Sequence, residues 1–250
     1  MSVIKICFII NKIIIFMRTI PIFIGYDSRE RAATNVLIDS LYQRSSIPLS
    51  IIPLVTSQLE NKKIYWREKD PKQSTEFSFT RFLVPYLMNY EGWSIFMDCD
   101  MLATCDIKEL WEQRNDKYSL MCVKHEHIPT EKIKFQGEVQ SVYPKKNWSS
   151  LMLFNNKQCK ALTPDYVNNA SGLDLHRFNW LENENKIGEI NNEWNYLLEV
   201  HNSDLNQNIQ GKKLVHWTLG GPWFKDQRKA GGIFALDWFI ARDNAMKLWD

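Results

Sequence analysis

One stretch limits the fold more than any other: Trp93-Ser94-Ile95-Phe96-Met97-Asp98-Cys99-Asp100. An apolar run suited to a buried strand stops abruptly at two carboxylates in i, i+2 spacing. In an extended backbone alternate side chains share a side, so Asp98 and Asp100 can converge on one cation. Carboxylate oxygens are hard ligands suited to Mn²⁺ or Mg²⁺, which in turn hold phosphate oxygens. The carboxyl ends of strands are where open α/β sheets bind their ligands. The motif is weak alone, since fourteen aspartates in 250 residues make roughly 0.8 Asp-x-Asp matches by chance. Its surroundings decide.

Those surroundings alternate strand and helix. Ile20–Ile24 reads as a first core strand ending at Gly25-Tyr26-Asp27. Asp27 with Glu30 has capping-box spacing for a following helix, whose face is Ala33, Val36, Leu37 and Leu41. Leu49–Val55 reads as a second strand, followed by a polar, proline-containing connection over Asn61–Thr75. Phe79, Phe82, Leu83, Tyr86 and Leu87 recur at helical spacing around Pro85, ahead of the Trp93–Met97 strand. Further on, Ile107–Trp111 predicts a short helix. Ser119–Val123, Leu151–Phe154 and Lys213–Trp217 predict strands, and Trp238 to Trp249 a terminal helix. Lys124–Asn147 has no clear period and is expected to wrap the site. The pattern predicts an α/β fold, a mostly parallel sheet flanked by helices, in a single domain over residues 18–250.

Composition narrows the partners. A net charge of +2 gives no strong preference for polyanions, and no nucleic-acid partner is expected. The five cysteines (Cys7, Cys99, Cys105, Cys122, Cys159) show no metal-like spacing and mostly sit in apolar segments, which fits reduced thiols and a cytoplasmic location. Val3–Met17 is apolar but interrupted by Lys5, Asn11 and Lys12. It is shorter than the ~20 residues of a spanning helix. Residues 1–17 therefore carry three open readings: an interfacial anchor with peripheral membrane contact, an extra β-segment, or an extension upstream of the domain.

Four further segments bear on the acidic pair: Ser78-Phe79-Thr80-Arg81-Phe82-Leu83-Val84-Pro85, Ser149-Ser150-Leu151-Met152-Leu153-Phe154-Asn155, Trp194-Asn195-Tyr196 and His216-Trp217-Thr218-Leu219-Gly220-Gly221-Pro222-Trp223. Together with Asp98-Cys99-Asp100 they resemble the GT-A fold glycosyltransferases. The likeness is to the branch containing glycogenin and the bacterial lipopolysaccharide galactosyl- and glucosyltransferases, and it runs from about Thr19 to about Lys225. The resemblance implies a nucleotide-sugar donor, UDP-sugar favoured, at the carboxyl ends of the strands, with Mn²⁺ (or Mg²⁺) bridging Asp98 and Asp100 to the diphosphate. It implies a donor-side arginine at Arg81, a sugar pocket at Ser149 and Ser150, and a closing tail at His216 and Gly220. This chain has Trp148 where the family has asparagine. Gly221 stands in place of the tail's lysine, one residue short in spacing; Lys225 and Arg228 are the nearby cations.

Each role has a plainer alternative. His216 is a third metal ligand or a core histidine at a strand end. Tyr26 and Asp27 lie where a nucleotide base would sit, yet Asp27 is also a sufficient helix cap. Arg81 pairs with phosphate or with Asp98. Asp174 and His176 orient the acceptor or the transferred sugar, or they are helix surface; Asp174 joins Asp98 and Asp100 as a catalytic candidate. Lys124-His125-Glu126-His127 is a sugar-side contact or a polar loop. Two functions follow. One is metal-dependent transfer of a monosaccharide to a hydroxyl of a glycan, lipid-linked or protein acceptor, with retention. The other is a non-catalytic nucleotide-sugar or glycan-binding module of the same fold. A haloacid-dehalogenase type phosphatase needs Thr or Val at position 102 and a later acidic pair. Leu102 and the absence of any Asp-Asp dipeptide argue against it.

Overall fold

The computed structural model describes residues 19–70, 73–125, 145–198 and 211–247. Strand β1 (Ile20–Gly25) is buried at every position, as a central strand covered on both faces must be. Its last residue is a glycine because a Cβ there would lie 2.2 Å from the Phe77 ring. Asp27 then caps a 3-10 turn over Ser28–Glu30 by accepting from the Arg29 amide. The predicted capping box does not form, because the Glu30 carboxylate accepts from the Cys99 thiol instead, at 3.4 Å. Helix α1 (Arg31–Arg44) follows and buries Ala33, Val36, Leu37 and Leu41 as its apolar face predicts. Ser40 on the same face accepts from the Ala103 amide at 3.2 Å.

After β2 (Leu49–Leu54) and α2 (Thr56–Asn61), a 3-10 turn at Thr80–Leu83 runs into α3 (Val84–Leu87). Pro85 sits in the first turn of α3, where its missing N–H leaves nothing unpaired. There follow β3 (Trp93–Met97), β4 (Met101–Ala103), α4 (Lys108–Trp111), β5 (Leu120–Val123) and β6 (Leu151–Asn155). The chain continues through α5 (Pro164–Asn169), α6 (Gly172–His176), β7 (Ile187–Ile190), β8 (Tyr196–Leu197), β9 (Leu214–His216) and α7 (Ile233–Ala245).

The central sheet has the order β2-β1-β3-β6-β5-β7. Neighbours β2, β1 and β3 are parallel, as are β5 and β7, and β6 runs antiparallel to both β3 and β5. The sheet is therefore mostly parallel with one reversed strand. That reversal matters, because it lays the start of β6 beside the end of β3: Met97 pairs with Leu151. A smaller sheet, β4-β9-β8, places Met101 opposite His216.

Two hydrophobic cores hold these layers. The larger surrounds the central sheet. The smaller gathers Val36, Leu102, Tyr196, Leu198, Val215, Trp217, Phe234, Trp238 and Ala241, which binds the small sheet to α1 and α7. Each large side chain buried there contributes about 1.5–3 kcal/mol. No described helix is long and apolar enough to cross a membrane. Residues 1–18 and 126–144, with the expectations placed on them, lie outside the described residues.

Candidate metal centre

Asp98, Asp100 and His216 each offer one ligand atom, and these atoms lie within 4.8 Å of one another. Three constraints bring them together. The Asp98 amide donates to the Ser150 carbonyl at 2.9 Å, and the Trp217 amide to the Asp100 carbonyl at 3.0 Å. The β4–β9 ladder sets His216 beside the end of the acidic turn. In β9, Val215 joins the smaller core with Trp217, while Leu214 joins the larger one. Strand alternation then turns His216 the same way as Leu214, toward the carboxyl end of β3. His216 is 2% exposed, while the Asp98 and Asp100 side chains keep 13% and 14%.

His216 Nε2 stands 3.2 Å from Asp100 Oδ1. Two carboxyl groups and one imidazole form the mixed oxygen and nitrogen donor set that Mn²⁺ accepts, and the carboxylates suit Mg²⁺ as well. A cation among three such converging acceptors offsets the repulsion between their lone pairs. The residues fit a divalent metal.

A hydrogen-bonded network surrounds this centre. Arg81 is 5% exposed; its Nη1 lies 2.9 Å from Asp98 Oδ1 and donates to the Ser149 carbonyl at 2.8 Å. The guanidinium rests over Phe77 and Phe96, 5.1 and 5.0 Å from their centroids. Ser149 Oγ meets His176 Nδ1 at 2.8 Å. Ser150 Oγ donates to the Asn147 carbonyl at 2.6 Å and accepts from Asn195 Nδ2 at 2.8 Å. Asn195 Oδ1 lies 2.9 Å from His216 Nδ1. Arg81, Ser149, Ser150 and His216, which the resemblance assigns to one site, lie around the acidic pair.

The other candidates sit differently. Asp27 is fully buried at the end of β1. Its oxygens accept from the Arg29 backbone and guanidinium and from the Glu76 amide. Burial alone would raise this carboxyl, but those hydrogen bonds hold it below its usual range. Tyr26 beside it is half-buried. Gly220 has φ 99°, in the tight turn after Trp217, and a Cβ on Gly221 would meet the Trp223 ring at 2.1 Å. Ser171 caps α6 by accepting from the Asp174 amide, and the Asp174 carboxylate accepts from Ser171 Oγ and from Asn179, which lowers its pKa. Lys225 and Arg228 are both exposed.

Glu30 was legible in the sequence only as a capping residue. Burial, with help from Asp100 and Asp27, pushes its pKa up to about 8. Between the ordinary glutamate value of 4.5 and about 8, the folded protein keeps a proton that the unfolded chain has released. Stability therefore falls as pH rises through that window, by on the order of a few kcal/mol. The Glu30→Gln variant should lose this slope. Thermal melts of both proteins from pH 5 to pH 9 check it; parallel profiles would contradict it.

No family model matches the chain. Its structure is similar to that of the WbbM bifunctional glycosyltransferase, with TM-score 0.63 at 16% identity over 92% of this chain and 50% of that one. It is similar to the galactosyltransferase LgtC, solved with donor and acceptor sugar analogs, with TM-score 0.56 at 10% identity over 92% and 98%. The glycosyltransferase GlyE of Streptococcus pneumoniae gives TM-score 0.55 at 14% identity over 91% and 63%. The chain thus spans half the length of WbbM and under two thirds of GlyE. These likenesses show the fold, that of the GT-A glycosyltransferases. Within it, the chain is 50% identical over 206 residues to protein CDI of Arabidopsis thaliana, covering 81% of this chain and 79% of that protein. It belongs to the family of protein CDI.

Proposed function

We propose that this protein transfers a monosaccharide from a nucleotide diphosphate sugar, with UDP-sugar the favoured donor, to a hydroxyl of a glycan, lipid-linked or protein acceptor. The observation that carries this reading is the convergence of Asp98, Asp100 and His216 at the carboxyl end of β3 in a GT-A fold. These three residues would hold Mn²⁺ or Mg²⁺. When bound, the cation supplies Lewis-acid stabilisation of the departing nucleoside diphosphate. Arg81 keeps the Asp98 carboxylate turned toward that position and shields it from alternative partners. Tyr26 lies at the end of β1, where it can stack on the base while Asp27 and Arg29 brace the loop beneath it. Ser149 and Ser150 border the sugar, and the turn at Gly220 brings backbone close to the phosphates. Asp174, oriented by Ser171 and Asn179, positions the transferred sugar or its acceptor. The resemblance to the lipopolysaccharide branch supports transfer with retention of configuration.

The test is a panel of nucleotide sugars incubated with the purified protein and Mn²⁺, followed for release of nucleoside diphosphate. The expected result is release from one donor, suppressed by chelation of the metal. Tight metal-dependent binding without turnover of any donor, with or without glycan acceptors, would indicate a binding module instead.

A further inference from the structure

We infer that Asn195 is a positioning residue, oriented by Ser150, that fixes His216 in the tautomer whose Nε2 lone pair can ligate a divalent cation. The inference rests on the metal-centre reading above and extends it to Asn195, which lies behind the histidine and outside the ligand set. The direction of each hydrogen bond in the network follows from a single proton. Ser150 Oγ has one hydrogen, and at 2.6 Å the Asn147 carbonyl, which can only accept, takes it. Ser150 Oγ must therefore accept from its other neighbour, 2.8 Å away, which makes that atom the amide nitrogen of Asn195. The amide orientation is then settled, and Asn195 presents its oxygen to His216 Nδ1 at 2.9 Å. An amide oxygen only accepts, so Nδ1 carries the proton, and in neutral imidazole Nε2 is left unprotonated.

That unprotonated nitrogen is the atom 3.2 Å from Asp100 Oδ1. In neutral imidazole its lone pair faces the Asp100 oxygen, and a cation between them would satisfy both. With the opposite tautomer, Nε2 would bring a hydrogen into the space the metal needs. The network is held rigidly. Asn195 is fully buried, between the buried Trp194 and Tyr196, and β8 begins at Tyr196 alongside β9. Asn195 therefore moves with the strand that carries His216. The Ser150 carbonyl also accepts from the Asp98 amide, so one residue supports both sides of the cluster.

The experiment has two readouts. The first is the ¹⁵N histidine spectrum of the metal-free protein at mildly alkaline pH, with His216 assigned by its absence in His216→Ala. The expected result is a protonated Nδ1 and an unprotonated Nε2 in the wild type, kept in Asn195→Asp, which still offers an oxygen, and lost in Asn195→Ala. The second is Mn²⁺ binding followed by the free-ion EPR signal. Asn195→Ala should weaken it roughly 10–100-fold, Ser150→Ala less, and Asn195→Asp least. A wild-type His216 protonated on Nε2, or unchanged Mn²⁺ affinity in Asn195→Ala, would overturn the inference. Wild-type protein that binds no Mn²⁺ would instead sink the metal-centre reading, and this role with it.

Discussion

Changing both Asp98 and Asp100 to asparagine should abolish the Mn²⁺-dependent part of nucleotide binding and lower turnover by on the order of 1000-fold, about 4 kcal/mol of barrier. Each substitution removes a charge and almost no volume. The amide oxygen that remains is a weaker ligand, and the amide nitrogen turns a donor toward the cation. The fold should survive. The amide carbonyl that replaces the Asp98 carboxylate can still accept from Arg81, and the backbone bonds from the Asp98 amide and to the Asp100 carbonyl do not depend on the side chains. Titration of UDP with and without Mn²⁺, beside a circular dichroism spectrum, measures both halves. Metal-enhanced binding that survives in a folded double variant would remove the assignment.

The second large effect falls on Arg81. Arg81→Met keeps an apolar stem among Phe77 and Phe96 but takes the guanidinium from Asp98 and from the Ser149 carbonyl. Breaking a buried pair from one side costs about 3–5 kcal/mol. The lower end applies here, because the Asp98 side chain keeps 13% of its surface in contact with water. For a chain of this length that is a drop in Tm of roughly 10 °C. Mn²⁺ should restore part of it, since a cation beside Asp98 replaces the lost positive charge. Calorimetry of the variant with and without Mn²⁺ gives both numbers. A melting temperature equal to that of the wild type would mean that the pair contributes nothing to the fold.

What could be read in advance follows from the range of the forces involved. Helix α1 and strands β1 and β3 carry their own pattern: their inward positions are mostly apolar, with Thr34, Ser40 and Ser94 the buried polar exceptions. Asp98 and Asp100 were legible for the same reason, since an abrupt change from buried apolar residues to paired carboxylates needs only local sequence. The short strands β4, β7 and β8 were missed. Two to four residues are too few for a period, and their pairing is supplied by β5 and β9 far along the chain. The reversal of β6 was equally hidden, because an apolar run of five residues does not record its direction. Glu30 looked like a capping residue; its actual partner, Cys99, is 69 residues away. The role of Asn195 arises from contacts 21 and 45 residues distant. Local chemistry thus pointed to the acidic pair and the resemblance to His216, while the groups that orient these candidate ligands became visible only after folding.

In the proposed function, Asp98, Asp100 and His216 hold one cation that faces the diphosphate of a nucleotide sugar. Anomalous diffraction at the manganese edge, from crystals grown with Mn²⁺ and UDP, tests it most directly. One strong peak is expected at bonding distance, about 2.0–2.5 Å, from a carboxylate oxygen of each aspartate and from Nε2 of the histidine, with diphosphate oxygens completing the shell. A peak bonded to other residues, or UDP bound with its diphosphate remote from Asp98 and Asp100, would contradict it.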